Sequence, residues 1–169
     1  MSFFSRLLSK TPNAAKAYKQ AGGNAQHAFW LFAAPVHMQL GRESYFLTSP
    51  APLLAPGPAP ECLNRGADAE SIVDSLNQHF SGFGYHFYLQ NDTWFLGLDA
   101  DPKITTTPIE KVVKKDVALY LPQGEGGLAW AKFQNEIQML LFAHAVNAAR
   151  EARSELPINS LWFYGLSAQ

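Results

Sequence analysis

LAWAKFQNEIQMLLFAHAVNAAREAR, residues Leu128 to Arg153, and INSLWFY, Ile158 to Tyr164, together decide the fold. The first segment predicts one long helix and the second a closing strand. Wound at about 100° per residue, Phe133, Ile137, Leu140, Leu141 and Ala148 share an arc that must face a core. His144 projects from the middle of that arc, and Glu136, Asn147 and Glu151 from its margin or interior. Burying such groups costs free energy unless each is hydrogen-bonded or paired. Two expectations follow. His144 could serve as a catalytic acid/base or ligand group, oriented by a carboxylate such as Glu151. Alternatively, the four side chains form a structural network tying the helix to the loop that carries Asn159 and Ser160. Away from the arc, Asn135 and Gln138 stand beside Met139 and Phe142. Exposed, those two apolar residues would make a sticky patch, suited to a homodimer or another protein partner. Arg150 is placed to pair with a neighbouring carboxylate or to hold an anion.

Upstream, Gly124-Glu125-Gly126-Gly127 faintly resembles a phosphate loop but has no following Lys-Ser or Lys-Thr pair, so it reads as a flexible joint. Asp116–Leu121 reads as a strand, and Thr107-Pro108 as the start of a short helix to Lys115. Tyr85–Gln90 and Thr93–Leu98 alternate as a hairpin across Asn91-Asp92. Asp68 is expected to cap a helix to about Phe80. Pro50, Pro52, Pro56, Pro58 and Pro60 mark an extended surface connection. Phe29–Leu40 is expected as a strand with Pro35 at a bulge or edge, turning at Gly41-Arg42 into Ser44–Thr48. Residues 1–28 form a basic arm with Phe3, Phe4, Leu7 and Leu8 near one face of a short helix, either docked on the domain or frayed. The sum is an α+β fold: residues 29–169 as a single domain, an antiparallel sheet with helices packed mainly on one face, and the long helix followed by a final strand.

Composition narrows the function. At 169 residues, 47% hydrophobic and 16% charged, the chain can bury one continuous core. The net charge of −1 argues against nucleic acid as the main partner, because neutralising phosphates takes a basic face. The charge is nonetheless uneven, +5 over residues 1–42 and −6 over the remainder. Cys62 is the single cysteine, so no internal disulfide can form. His27, His37, His79, His86 and His144 show no metal-ligand spacing, and neither a metal nor a cofactor is expected. Nothing reads as a signal or a membrane span, so a cytoplasmic location is expected. Ser49, Ser71 and Ser160 sit in no nucleophile-elbow pattern.

The run FQNEIQMLLFAHAVNAAREARSELPINSLWF, Phe133 to Phe163, resembles a family of proteobacterial proteins with the motif QNE(I/V)QMLLxxHPVNxxREAxGxPxNS(L/F)W. Ala34-Pro35-Val36-His37 and Thr106–Val113 resemble two earlier segments of that family. Its members are often labelled cofactor-independent phosphoglycerate mutases or related regulatory proteins. On this chain the motif falls on Asn135, Glu136, Gln138, His144, Asn147, Arg150, Glu151, Asn159 and Trp162. The label implies either a regulatory role or phosphate-ester chemistry with His144 as acid/base and Arg150 as anion clamp. Mutases of that kind need several Asp and His ligands for two metals plus a serine nucleophile on a far larger fold, and the sequence does not display that set. Ala145 stands where the motif has proline, so the helix is expected to run on without a kink. Ser154-Glu155 replaces a single glycine, which predicts a looser helix end. On the residues, a non-enzymatic binding or regulatory domain comes first and the phosphate-ester enzyme second.

Overall fold

The computed structural model describes residues 13–34, 36–38, 45–47, 66–90, 93–108, 111–112 and 117–168. In chain order the elements are α1 (Ala14–Gln20), β1 (His27–Ala34), β2 (Val36–Met38), β3 (Tyr45–Leu47), α2 (Gly66–His79), β4 (Tyr85–Gln90) and β5 (Thr93–Leu98). A 3-10 turn at Val117–Tyr120, α3 (Gly127–Phe142), α4 (Ala145–Ala152) and β6 (Ser160–Ala168) follow among the described residues.

Strands rich in aromatic residues pair into an antiparallel sheet of order β4-β5-β1-β6. The expected hairpin is present, with Gln90 opposite Thr93. β5 is buried from Trp94 to Leu98, so it must be covered on both faces. Trp94, Leu96 and Leu98 turn to one side, where Ile72 and Leu76 of α2 and Trp130, Phe133, Ile137 and Leu141 of α3 meet them. Phe95 turns to the other, against Ala14, Ala15 and Tyr18 of α1. Helices thus pack mainly on one face, and the only stretch of the basic arm described, from residue 13 on, closes the second. The Tyr18 ring lies so near Gly97 that a Cβ there would sit 2.8 Å from it, which explains a glycine in mid-strand.

Between Ala28 and Trp30 the pairing with β6 slips, leaving Phe29 opposite both Gly165 and Leu166. Gly165 takes φ +68 there, and a Cβ would meet Trp30 Cδ1 at 2.7 Å. Among the described residues no helix is long and apolar enough to cross a membrane.

Several local expectations need correction. The apolar stretch from Phe29 is two strands, β1 and β2; β2 does pair antiparallel with the expected Ser44–Thr48 segment, as β3, but in a separate two-stranded sheet. Val117–Tyr120 is 3-10 helix, not strand; a four-residue apolar run has too short a period to tell the two apart. α2 begins at Gly66, so Asp68 lies inside its first turn. Gly124–Gly127 is no flexible joint: the Gly126 and Gly127 amides bond Lys103 O and Gly124 O at 3.1 and 3.0 Å, and a Cβ on Gly126 would collide with Pro102 O. These glycines permit close packing, and those two donors are already engaged. The Phe3–Leu8 helix, Pro35, the Gly41-Arg42 turn, the proline-rich connection, Ser49 and Cys62 lie outside the described residues.

Candidate functional site

The expected single helix from Leu128 to Arg153 is broken. α3 ends at Phe142, Ala143 follows at φ −90 and ψ 1, and His144 is extended at φ −75 and ψ 133 as the N-cap of α4. No glycine or proline causes the break. It is held by side chains: Asn147 Nδ2 donates to Leu141 O at 2.8 Å, claiming a carbonyl that a continuing helix would have used, and Val146 N donates to His144 Nδ1 at 3.2 Å. Ala145 is therefore the first residue of α4, a position that favours proline rather than one that proline would kink.

The break resets the helical phase, and the buried set changes with it. Beyond the break Asn147 and Arg150 are buried and His144 is half-buried, but Ala148 and Glu151 are exposed, contrary to the one-helix projection; Glu136, upstream of the break on the margin of the arc, is exposed too. Glu136 Oε1 bonds His79 Nε2 at 2.7 Å at the surface. Asn135 is exposed, Gln138 and Asn159 are half-buried, and Met139 and Phe142 are 73% and 87% exposed. Trp162 is buried, donating Nε1 to Thr107 O at 2.8 Å.

Two polar joints result. In the first, the Asn147 amide also donates to Ile158 O at 2.7 Å and accepts from Ile158 N at 2.7 Å, fixing the approach to β6. In the second, Arg150, with its side chain 5% exposed, donates Nε to Leu156 O at 2.7 Å and faces Asp68 at 3.0 Å and Glu155 at 3.2 Å. Arg153 bonds the same two carboxylates, at 2.7 and 3.0 Å. Two guanidiniums and two carboxylates balance one another, and the cluster anchors α4 to the start of α2.

The α4 terminus that shapes this cluster is tight, not loose. Glu155 N bonds Arg150 O and Ser154 N bonds Glu151 O, both at 2.9 Å, with Ser154 left-handed at φ +59. Serine in that conformation is strained where glycine is not. Ser154→Gly should stabilise the fold by about 0.5–1 kcal/mol in urea titration.

The hydrogen bond from Arg153, with lesser Coulombic pull from Arg150 and Arg153, holds the Glu155 carboxyl below the usual carboxylate range. A lowered folded pKa means stability that is present above the ordinary carboxylate value and lost as pH falls through the folded one. Urea midpoints taken from about pH 6 to about pH 3 should fall less steeply in Glu155→Gln than in the parent.

His144 has the outline of a catalytic pair, since its Nε2 lies 2.8 Å from Ser75 Oγ. Its other bond decides the proton. An amide N–H can only donate, so Nδ1 holds the lone pair, and the neutral ring carries its hydrogen on Nε2. Nε2–H then donates to Ser75. In this tautomer the imidazole has no lone pair with which to take the serine proton, the reverse of what a nucleophilic Ser-His pair needs.

Ser75, Asp68 and Asn77 carry no signal in the helical projection that singled out the others. Asn77, within α2, pairs with both backbone groups of Phe87 at 2.8 Å and so covers the outer edge of β4. An asparagine inside a helix pattern is the one hint available, because it favours bonding to backbone elsewhere. Among the described residues, no group of three or more His, Cys, Asp or Glu is placed to hold a metal ion.

An antiparallel sheet with helices on both faces and a bonded polar joint at its last helix defines a mixed α/β domain. Among solved structures, the chain is similar to the cofactor-independent phosphoglycerate mutase from Thermoplasma acidophilum DSM 1728, with a TM-score of 0.59 and 15% identity over 93% of this chain. At that identity the likeness is one of fold. The chain spans 41% of that mutase's length. No protein-family model matches the chain, and no curated protein does.

Proposed function

We propose that the chain is a non-enzymatic binding or regulatory module that meets its partner through the outward face of α3. The observation that carries this is the exposure of Leu128, Met139 and Phe142, at 73%, 73% and 87%, on a helix whose other side already fills the core. Large apolar side chains grouped on a surface mark contact sites. The chemical groups of the neighbouring α4 support the same reading, since Asn147 and Arg150 are bonded to the fold and His144 is set in a tautomer unsuited to general-base work on Ser75. The test is a solvatochromic apolar dye. Phe142→Asp should abolish its fluorescence gain without moving the thermal midpoint, whereas an unchanged signal would refute the reading.

The likeness of fold to a phosphoglycerate mutase favours a second reading, a phosphate-ester enzyme using His144 and Arg150. Either residue would first have to leave its present bonds. The assay is conversion of 3-phosphoglycerate with added divalent metal. Turnover that disappears in both His144→Ala and Arg150→Lys would establish it, and none above those controls is expected.

A further inference from the structure

The outward face of α3 is symmetric about its own midpoint. Leu128, Ala131, Asn135, Met139 and Phe142 are all exposed and fall within an arc of about 80°. Their spacing of three, four, four and three residues is the same from either end. A two-fold axis through Asn135 would therefore bring Leu128 against Phe142 of a second copy, Ala131 against Met139, and Asn135 against its own equivalent. Such self-matching is what an isologous interface requires. The flank charges agree. Lys132 and Glu136 are exposed on the same side of the stripe, and an antiparallel two-fold pairing sets same flank against same flank. Lys132 then stands diagonally opposite Glu136 of the second copy, twice. A parallel arrangement would forfeit this pairing, and a polar asparagine at the centre of an apolar seam fixes one register.

We infer that the partner for this face is a second copy of the chain, docked antiparallel along α3 with Asn135 on the two-fold axis. The inference rests on the α3 face being a binding surface, and deepens it by naming the occupant and the register. At the axis two helices packed closely bring their facing Cα atoms within disulfide range. Residue 128 in the two copies would be roughly 21 Å apart along the seam, at about 1.5 Å per residue.

Sedimentation and cross-linking decide it, both in a Cys62→Ser background because Cys62 is the single native thiol. The parent should show a concentration-dependent dimer, and Phe142→Asp should weaken association by about tenfold or more while keeping its melting curve. Asn135→Cys should form a covalent dimer on mild oxidation, and Leu128→Cys should not. A parent monomeric at every concentration, a dimer indifferent to Phe142→Asp, or cross-linking at 128 as efficient as at 135 would each overturn the inference. A monomer that still binds the apolar dye through Phe142 would leave the binding-surface reading intact with a different occupant.

Discussion

Asn147→Leu should unfold in urea with a loss of about 3–5 kcal/mol, a substantial share of the roughly 5–15 kcal/mol that holds an ordinary domain together. The side chains are close in size, so packing is not the cause. What disappears is three bonds to buried backbone: Leu141 O, Ile158 O and Ile158 N, each now within 2.8 Å of the amide. Leu141 O keeps the His144 amide at 3.1 Å, so the main cost falls on Ile158 O and N, and leaving a buried donor or acceptor unpaired costs about 1–3 kcal/mol each. Asn147→Asp separates the electrostatics from the geometry. Its carboxylate could still accept from Ile158 N but would oppose two carbonyl oxygens, and burial there raises its pKa. A raised folded pKa gives stability that is present at low pH and lost as pH rises, so this variant should recover part of its loss on mild acidification. The leucine variant should not. A loss below about 1 kcal/mol in Asn147→Leu would show that the joint is hydrated rather than sealed.

How much of this was legible beforehand depended on the period of each segment. The β4–β5 hairpin could be read because alternation over six-residue strands and a two-residue connection leave few alternatives. The first half of the C-terminal helix was legible for a similar reason, and Phe133, Ile137 and Leu141 are all buried as their spacing requires. The second half was not. Residues 142–145, Phe-Ala-His-Ala, contain nothing that stops a helix, and the break depends on Asn147 and Ser75 bonding across it. Long-range partners of that kind leave no trace in local propensity, and the phase change they impose turns Ala148 and Glu151, the residues beyond the break, out to solvent. Ala145, inside one helix on a continuous projection, is instead the first residue of α4, a position where proline would fit without a kink. The sequence of α4 leaves Arg150 free to pair or to hold an anion, because its counter-charge, Asp68, is 82 residues away in the chain and is brought to it only by the fold.

Phe133→Ala should lose about 3–5 kcal/mol and melt roughly 10 °C lower, while Phe142→Ala, nine positions along the same helix, should stay within about 0.5 kcal/mol of the parent. The Phe133 ring is 5% exposed and stacks on Tyr85 at 4.3 Å, with Phe80 and Trp130 at 4.9 Å and Phe163 at 5.9 Å. Those neighbours come from the turn after α2, from β4, from α3 itself and from β6, so truncation opens a void bordered on several sides. A rigid sheet on one side and two helices on the other limit how far the void can collapse, which places the cost toward the upper end of the range for such truncations. Phe142 has no such shell, being 87% exposed. The contrast tests more than packing. Both faces of α3 carry large apolar residues, so composition alone would let the helix sit either way round. Only the orientation described here makes one phenylalanine indispensable to the fold and frees the other for contact. If Phe142→Ala destabilised the monomer as much as Phe133→Ala did, α3 would have to be rotated, and the surface assigned to binding would belong to the core.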